Sequence, residues 1–326
     1  MSQSSHGFRL PEVVGGGAVR LRRSITDRQD AARRLLFEAA EDVYDGDLDV
    51  DWGSAPVPDL RWMPDEFCSL FGTSVWDAMT DGQRRTLRTA EFVELIALAM
   101  QMDSVASMIA FKTIARDRVL ADDRARFLLT VVDDLARNVT MYSRVIAATG
   151  VEPAMSRRRT TLPARYSLML PRRTLAVSVM LLSAQLLGGL SAAVAFGDEV
   201  QPHCKYLLEI QAGSADRVTR FARAELDDAG VAGRSRTGSI RRTAHSAAHA
   251  SLVVSIGWRL ISDEAYVSAG VDPVVARAAA SARAVRARRL TTILGPHLAI
   301  CDEDGLVDGQ LAGLVLRAGG LRERGR

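Results

Sequence analysis

The chain has 326 residues, 48% of them hydrophobic and 25% charged, which excludes a disordered polymer and supplies enough apolar surface for a sizeable core. Its 42 Lys and Arg stand against 39 Asp and Glu, a net charge of +3. That near-balance argues against a protein whose main work is gripping nucleic acid along a basic face. Lys112 and Lys205 are its only lysines, so arginine carries nearly all the positive charge, the amino-acid bias of a GC-rich genome. Cys68, Cys204 and Cys301 are far apart, which argues against a disulfide framework or a cysteine-based zinc site and fits a reducing cytoplasm.

In chain order, residues 1–23 hold Ser, Gly and Arg without an apolar run and read as a flexible tail, not a secretory signal. Residues 24–320 read as a single helical domain, with its core at about 83–226 and C-terminal helices at about 239–318. Thr26-Asp27 opens a first helix through Val43, and the Gly- and Pro-rich stretch 46–64 is a loop leading to a short turn at 64–71. A long helix is expected to run to Arg116, and another from Asp117 or Ala121 to Thr149, closed by Gly150. The Pro- and Arg-rich connection 152–171 contains Arg157, Arg158 and Arg159, arginines best explained as a solvated loop.

Residues 174–196 then form a run of 23 without a charge. Such a run would span a bilayer, but it also suits a central helix buried on every side in a bundle. The small residues around Gly188-Gly189 and the mid-run Gln185 favour the buried helix, wrapped by the helices at 83–116, 117–149 and 201–226. No second uncharged run of this kind follows. Pro202 starts a helix to about Leu226, 230–238 is a basic loop, and helices at 239–262, 273–301 and 306–317 complete an all-α chain without repeats.

Metal-ligand patterns are sparse. His245 and His249 are spaced to share one helix face, with Ser-Ala-Ala between them, and are expected on a half-exposed face. No Glu-x-x-His, phosphate-binding glycine loop or Gly-x-Ser-x-Gly elbow occurs.

Four segments carry a family resemblance: PDEFCSLFGTSVWDAMTDGQRR (64–85), QPHCKYLLEIQAGSADRVTRFARAEL (201–226), YVSAGVDPVVARAA (266–279) and LAGLVLRAGGLR (311–322). In this order, over about 35–322, the chain resembles the p-aminobenzoate N-oxygenase-like proteins. The resemblance implies a ferritin-like helical bundle with a fully apolar central helix and extra peripheral helices, and in the family that bundle holds two irons.

The iron ligands are what this sequence lacks. On the matching helices, the resemblance places the ligand positions at Asp103, at Gln185 (or Ala184), and at Gln211, Ala215 and Val218. The remaining pair falls on Leu135 and Asn138, or on Asp134 and Arg137 in an alternative register. Periodicity favours the first, because Leu135 and Asn138 continue the stripe Leu128, Val131, Tyr142, whereas Arg137 can pair with Asp133 and Asp134 outside. One carboxylate among seven positions cannot neutralise two iron ions, so no metal and no cofactor are expected.

Asp103, Asn138, Gln185 and Gln211 are instead expected to converge as a hydrogen-bonded cluster at the bundle centre. The resulting functional expectation is a metal-free, non-catalytic family member acting as a structural or partner subunit, as a homo-dimer or beside an active paralogue, in the cytoplasm. The alternatives are an active di-iron oxygenase of an amine or aryl substrate, with ligands to be sought at His245, His249 and Glu264, and a membrane-associated helical protein.

Overall fold

A computed structural model of the chain describes residues 16–41, 50–116, 122–154, 173–195, 199–229 and 239–321. The expected features at 1–15, 157–159 and 230–238 lie outside the described residues. Within them every regular element is helical: α1 (Gly16–Glu41), a single 3-10 turn (Asp65–Phe67), α2 (Ser74–Asp77), α3 (Asp81–Arg116) and α4 (Asp123–Thr149). These are followed by α5 (Arg173–Gln185), α6 (Gly188–Val194), α7 (Pro202–Asp228), α8 (Ser239–Arg259) and α9 (Asp263–Ser268). The last are α10 (Pro273–Ser281), α11 (Arg283–Glu303) and α12 (Gln310–Gly319).

Local chemistry explains most boundaries. Asp122 caps α4 by accepting from the Ala125 N–H at 2.7 Å, and Gly150 closes it in the left-handed conformation at φ 69°. Ser262 and Asp272 cap α9 and α10, the latter with Pro273 at the first helical position. The first helix begins at Gly16, well before the expected Thr26, so the tail expected over 1–23 is helical from Gly16 onward. The helix expected at 273–301 is divided at Ala282, whose backbone is extended.

Four helices close into a ring: α3 packs on α4, α4 on α7, α7 on α5, and α5 back on α3. Each turns an apolar stripe inward. On α7 the stripe Cys204, Leu208, Gln211, Ala215, Val218 and Ala222 is buried throughout, and on α4 so are Leu128, Val131, Leu135, Asn138 and Tyr142. α1 covers α4 and α7, while α8, α11 and α12 build a second layer behind α5 and α6.

The apolar run is buried along its centre, with Met180, Leu181, Leu182, Leu186, Leu187 and Leu190 at 0–1% exposure. Its wrapping matches expectation for α3 and α7, whereas α8 and α11 pack on it where the helix at 117–149 was foreseen. The run is also broken between α5 and α6. The reason is close approach: a Cβ on Gly189 would run into the carbonyl oxygens of Thr292 and Ile293 on α11. Only glycine lets the two backbones touch there.

By length and hydropathy, both Thr174–Val194 and Asp81–Arg116 could cross a membrane, so α3 is a second candidate beyond the one found in the sequence. In each, 72% of the apolar window is buried inside the protein, as in the core helices of a bundle.

Away from the ring, Gln201 at the start of α7 holds the loop 50–64 by bonding Val57 N, Val57 O and Leu60 O at 2.7–3.0 Å. A buried ion pair, Arg289 with Glu91 at 3.1 Å, ties α11 to α3 beneath the 3-10 turn.

Candidate functional site

The centre of the ring is polar. Asp103 on α3 is 2% exposed, and three hydroxyl or amide groups converge on its carboxylate. Ser183 Oγ of α5 donates to Oδ1 at 2.6 Å, while Tyr142 OH and Asn138 Nδ2 of α4 donate to Oδ2 at 3.2 and 3.4 Å. Asn138 Nδ2 also reaches Ser214 Oγ of α7 at 3.4 Å, and Ser214 donates to its own helix at Gln211 O. All four ring helices therefore contribute a polar side chain.

Two of the expected members are replaced. Gln185 turns aside to donate to Thr219 Oγ1 at 2.7 Å, and Gln211 donates to the Ala184 carbonyl at 3.3 Å. Ser183 and Ser214 bond to Asp103 and Asn138 instead. Asp103 and Asn138 meet as expected. Leu135, Ala215 and Val218 line the core as aliphatics, 3–8% exposed.

The alternative register points outward. Arg137 bonds Asp133 at 2.6 Å on the exposed side of α4. Asp134, expected to share Arg137 with Asp133, bonds Arg217 of α7 at 3.1 Å.

Burial governs the electrostatics of this centre. It raises the Asp103 carboxyl from 3.8 to about 7, against the pull of the hydrogen bonds from Ser183, Asn138 and Tyr142. It also raises the Tyr142 phenol well above its ordinary value, so that hydroxyl stays a donor. The sign of the linkage follows: the folded chain keeps a proton on Asp103 that the unfolded chain has lost above pH 3.8. Stability should thus fall as pH rises from about 4 to about 7 and level off above. Asp103→Asn should flatten that slope, which denaturant titrations of both proteins at about pH 5 and about pH 8 will measure. Parallel slopes would mean that the carboxylate is solvated.

A cleft of about 380 Å³ between α4 and α7 is lined by Asn138 and Ser214 together with Asp134, Arg137, Tyr206 and Arg217. The Asp103 cluster is thus one side chain away from a concave surface.

The residues that the resemblance places at the family's ligand positions do not fit two irons. They offer one carboxylate, three amides and three aliphatic side chains, and the carboxylate's oxygens already accept three hydrogen bonds. A pair of irons needs bridging carboxylates and imidazoles facing one cavity. Glu264, a candidate replacement ligand, lies beside its neighbour Ser262 on α9, whose hydroxyl donates to it at 3.3 Å.

The histidines expected on a half-exposed face are buried: His245 is 4% exposed and His249 0%. α5 and α12 cover α8, a covering that its own sequence does not reveal. His245 Nε2 lies 2.9 Å from Ser178 Oγ of α5. His249 meets His297 and Cys301 of α11 in the one group of three His, Cys, Asp or Glu donors within 4.8 Å among the described residues. Sequence reasoning missed this group, although His297 and Cys301 stand four apart on one helix.

The family model described as P-aminobenzoate N-oxygenase AurF matches residues 25–305. No curated protein matches the chain.

Proposed function

The chain belongs to the p-aminobenzoate N-oxygenase AurF family, whose fold is the ferritin-like helical bundle and whose members normally hold two irons, and within that family we propose that it is a non-catalytic member without di-iron chemistry. The observation that carries the reading is the state of Asp103. It is the one carboxylate at the seven ligand positions, and Ser183, Tyr142 and Asn138 occupy it with hydrogen bonds. The other six positions hold amides and aliphatics, which cannot balance the charge of two iron ions in a dry core. A relocated di-iron site finds no support either, because the one donor group among the described residues contains no carboxylate.

In this reading the bundle is kept as a scaffold. The protein acts in the cytoplasm as a structural or partner subunit, paired with a second copy of itself or with an active paralogue.

Iron quantification on the purified chain tests the proposal. We expect far less than one iron per chain, and no oxidation of an arylamine with dioxygen and a reductant. Two irons per chain with turnover would overturn it.

A further inference from the structure

The second layer holds a group that the first function does not use. His249 on α8 faces His297 and Cys301, which stand one turn apart on α11. His249 Nε2 lies 3.0 Å from His297 Nε2 and 3.3 Å from Cys301 Sγ, and Cys301 Sγ lies 3.3 Å from His297 Nε2. The three atoms form a nearly equilateral triangle. All three residues are 0% exposed, and Cys301 belongs to an apolar cluster with Val177, Leu181, Leu306 and Leu316.

Hydrogen bonding accounts for only part of this arrangement. Two neutral imidazoles and a thiol carry one proton each, and an imidazole presents either a donor or an acceptor at Nε2, never both. At most two edges of the triangle can then hold a hydrogen bond. The outer nitrogens give no help, because Nδ1 of His249 and Nδ1 of His297 have no partner. A neutral imidazole keeps one nitrogen lone pair, so each ring can present one to the pocket. Three donors of this kind, aimed at one point in a dry pocket, are arranged as a metal site is.

We propose that His249, His297 and Cys301 bind one thiophilic metal ion of the d10 class, cuprous copper in preference to zinc. The centre of the triangle lies about 1.9 Å from each corner, close to the roughly 2.0–2.3 Å of metal–imidazole and metal–thiolate bonds. A small outward displacement of the ion brings all three into range. Charge decides between the ions: a cuprous ion with one thiolate is neutral, whereas zinc leaves a net positive charge in an apolar shell and asks for a fourth ligand. Binding forms two metal–nitrogen bonds and one metal–sulfur bond and breaks the Cys301 S–H bond. The proton leaves to solvent, and the oxidation state of the ion does not change. The site shares no residue with the Asp103 cluster and does not depend on the scaffold reading, since iron and copper are counted separately.

The test is an anaerobic titration of the metal-stripped full chain with cuprous ions against a chromophoric chelator, with zinc and cobalt(II) in parallel arms. Because the pocket is closed, each ion is added both to the native chain and during refolding. We expect one ion per chain, one proton released per ion, tighter retention of copper than of zinc, and a thiolate-to-cobalt charge-transfer band. Cys301→Ala and His297→Gln should each weaken retention by at least about 100-fold, whereas Cys204→Ala should leave it unchanged. The cobalt band is read on the unaltered chain, so it decides even if a variant fails to fold. Absence of binding in both arms, absence of the cobalt band, or retention by the folded variants equal to that of the parent would overturn the proposal.

Discussion

Replacing Glu91 with Ala should destabilise the protein by about 3–5 kcal/mol, the range for removing one partner of a buried ion pair. Glu91 is fully buried on α3 and holds three segments at once. Its Oε2 accepts from Ser69 N at 2.7 Å and from Arg289 Nη2 at 3.1 Å, and its Oε1 accepts from the Ser69 hydroxyl. Ser69 Oγ in turn lies 2.9 Å from the Tyr266 hydroxyl of α9. Arg289 spends its other N–H groups on backbone, donating to Phe67 O at 3.1 Å and Leu260 O at 2.9 Å. The alanine variant would leave the guanidinium charge buried with only neutral carbonyls as partners.

Arg289→Ala should cost a comparable amount, since it leaves the buried carboxylate without its cation and removes the donor to two carbonyls. The double variant should cost less than the sum, because the two side chains act on each other. Urea denaturation of the four proteins measures this directly. Additive losses would mean that the backbone contacts of Arg289, and not its pairing with Glu91, hold this corner together.

That corner also explains what three of the four resembling segments record. Phe67 and Ser69 lie in the first, Tyr266 in the third, and the second begins with Gln201, which pins the loop 50–64. These residues hold the bundle's outer elements in place. These residues lie apart from the positions that the resemblance assigns to the iron ligands, so the proposed loss of the metal leaves the contacts that hold the fold untouched.

The helices and the inward faces of α4 and α7 were legible because periodicity fixes which residues share a side. The choice of Leu135 and Asn138 over Asp134 and Arg137 as inward residues came from that rule, and the structure buries the first pair. Periodicity failed on α5, whose run is apolar on all sides and so has no readable face. Ser183 was invisible there, since a serine in such a run can satisfy its hydroxyl on its own helix, as Ser178 does with Thr174 O at 3.1 Å. Pairings between remote segments carry no local signal at all. His249 and His297 are separated by 48 positions, and only the packing of α8 against α11 makes them neighbours.

The remaining large effect belongs to Arg124 and Glu225, which join α4 to α7. Arg124 Nε donates to Glu225 Oε1 at 2.7 Å and Nη2 to Oε2 at 3.0 Å, a two-pronged pair whose side chains are 6% and 4% exposed. The guanidinium also sits 5.9 Å from the centre of the Phe221 ring, which packs against Phe127 at 5.1 Å. Glu225→Ala should cost about 3–5 kcal/mol, because the buried arginine loses both prongs of its bond to this carboxylate. Arg124→Met combined with Glu225→Leu should cost far less than Arg124→Met or Glu225→Leu alone, since two well-packed apolar side chains remove both charges together and rest against the same phenylalanines. The measurement is a double-mutant cycle by denaturant unfolding at low and high salt. The single losses should change little with salt, as screening does not reach a pair this buried. A loss below about 1 kcal/mol for Glu225→Ala, or one that vanishes in salt, would show instead that water enters between α4 and α7 and that the pair behaves as a surface bridge.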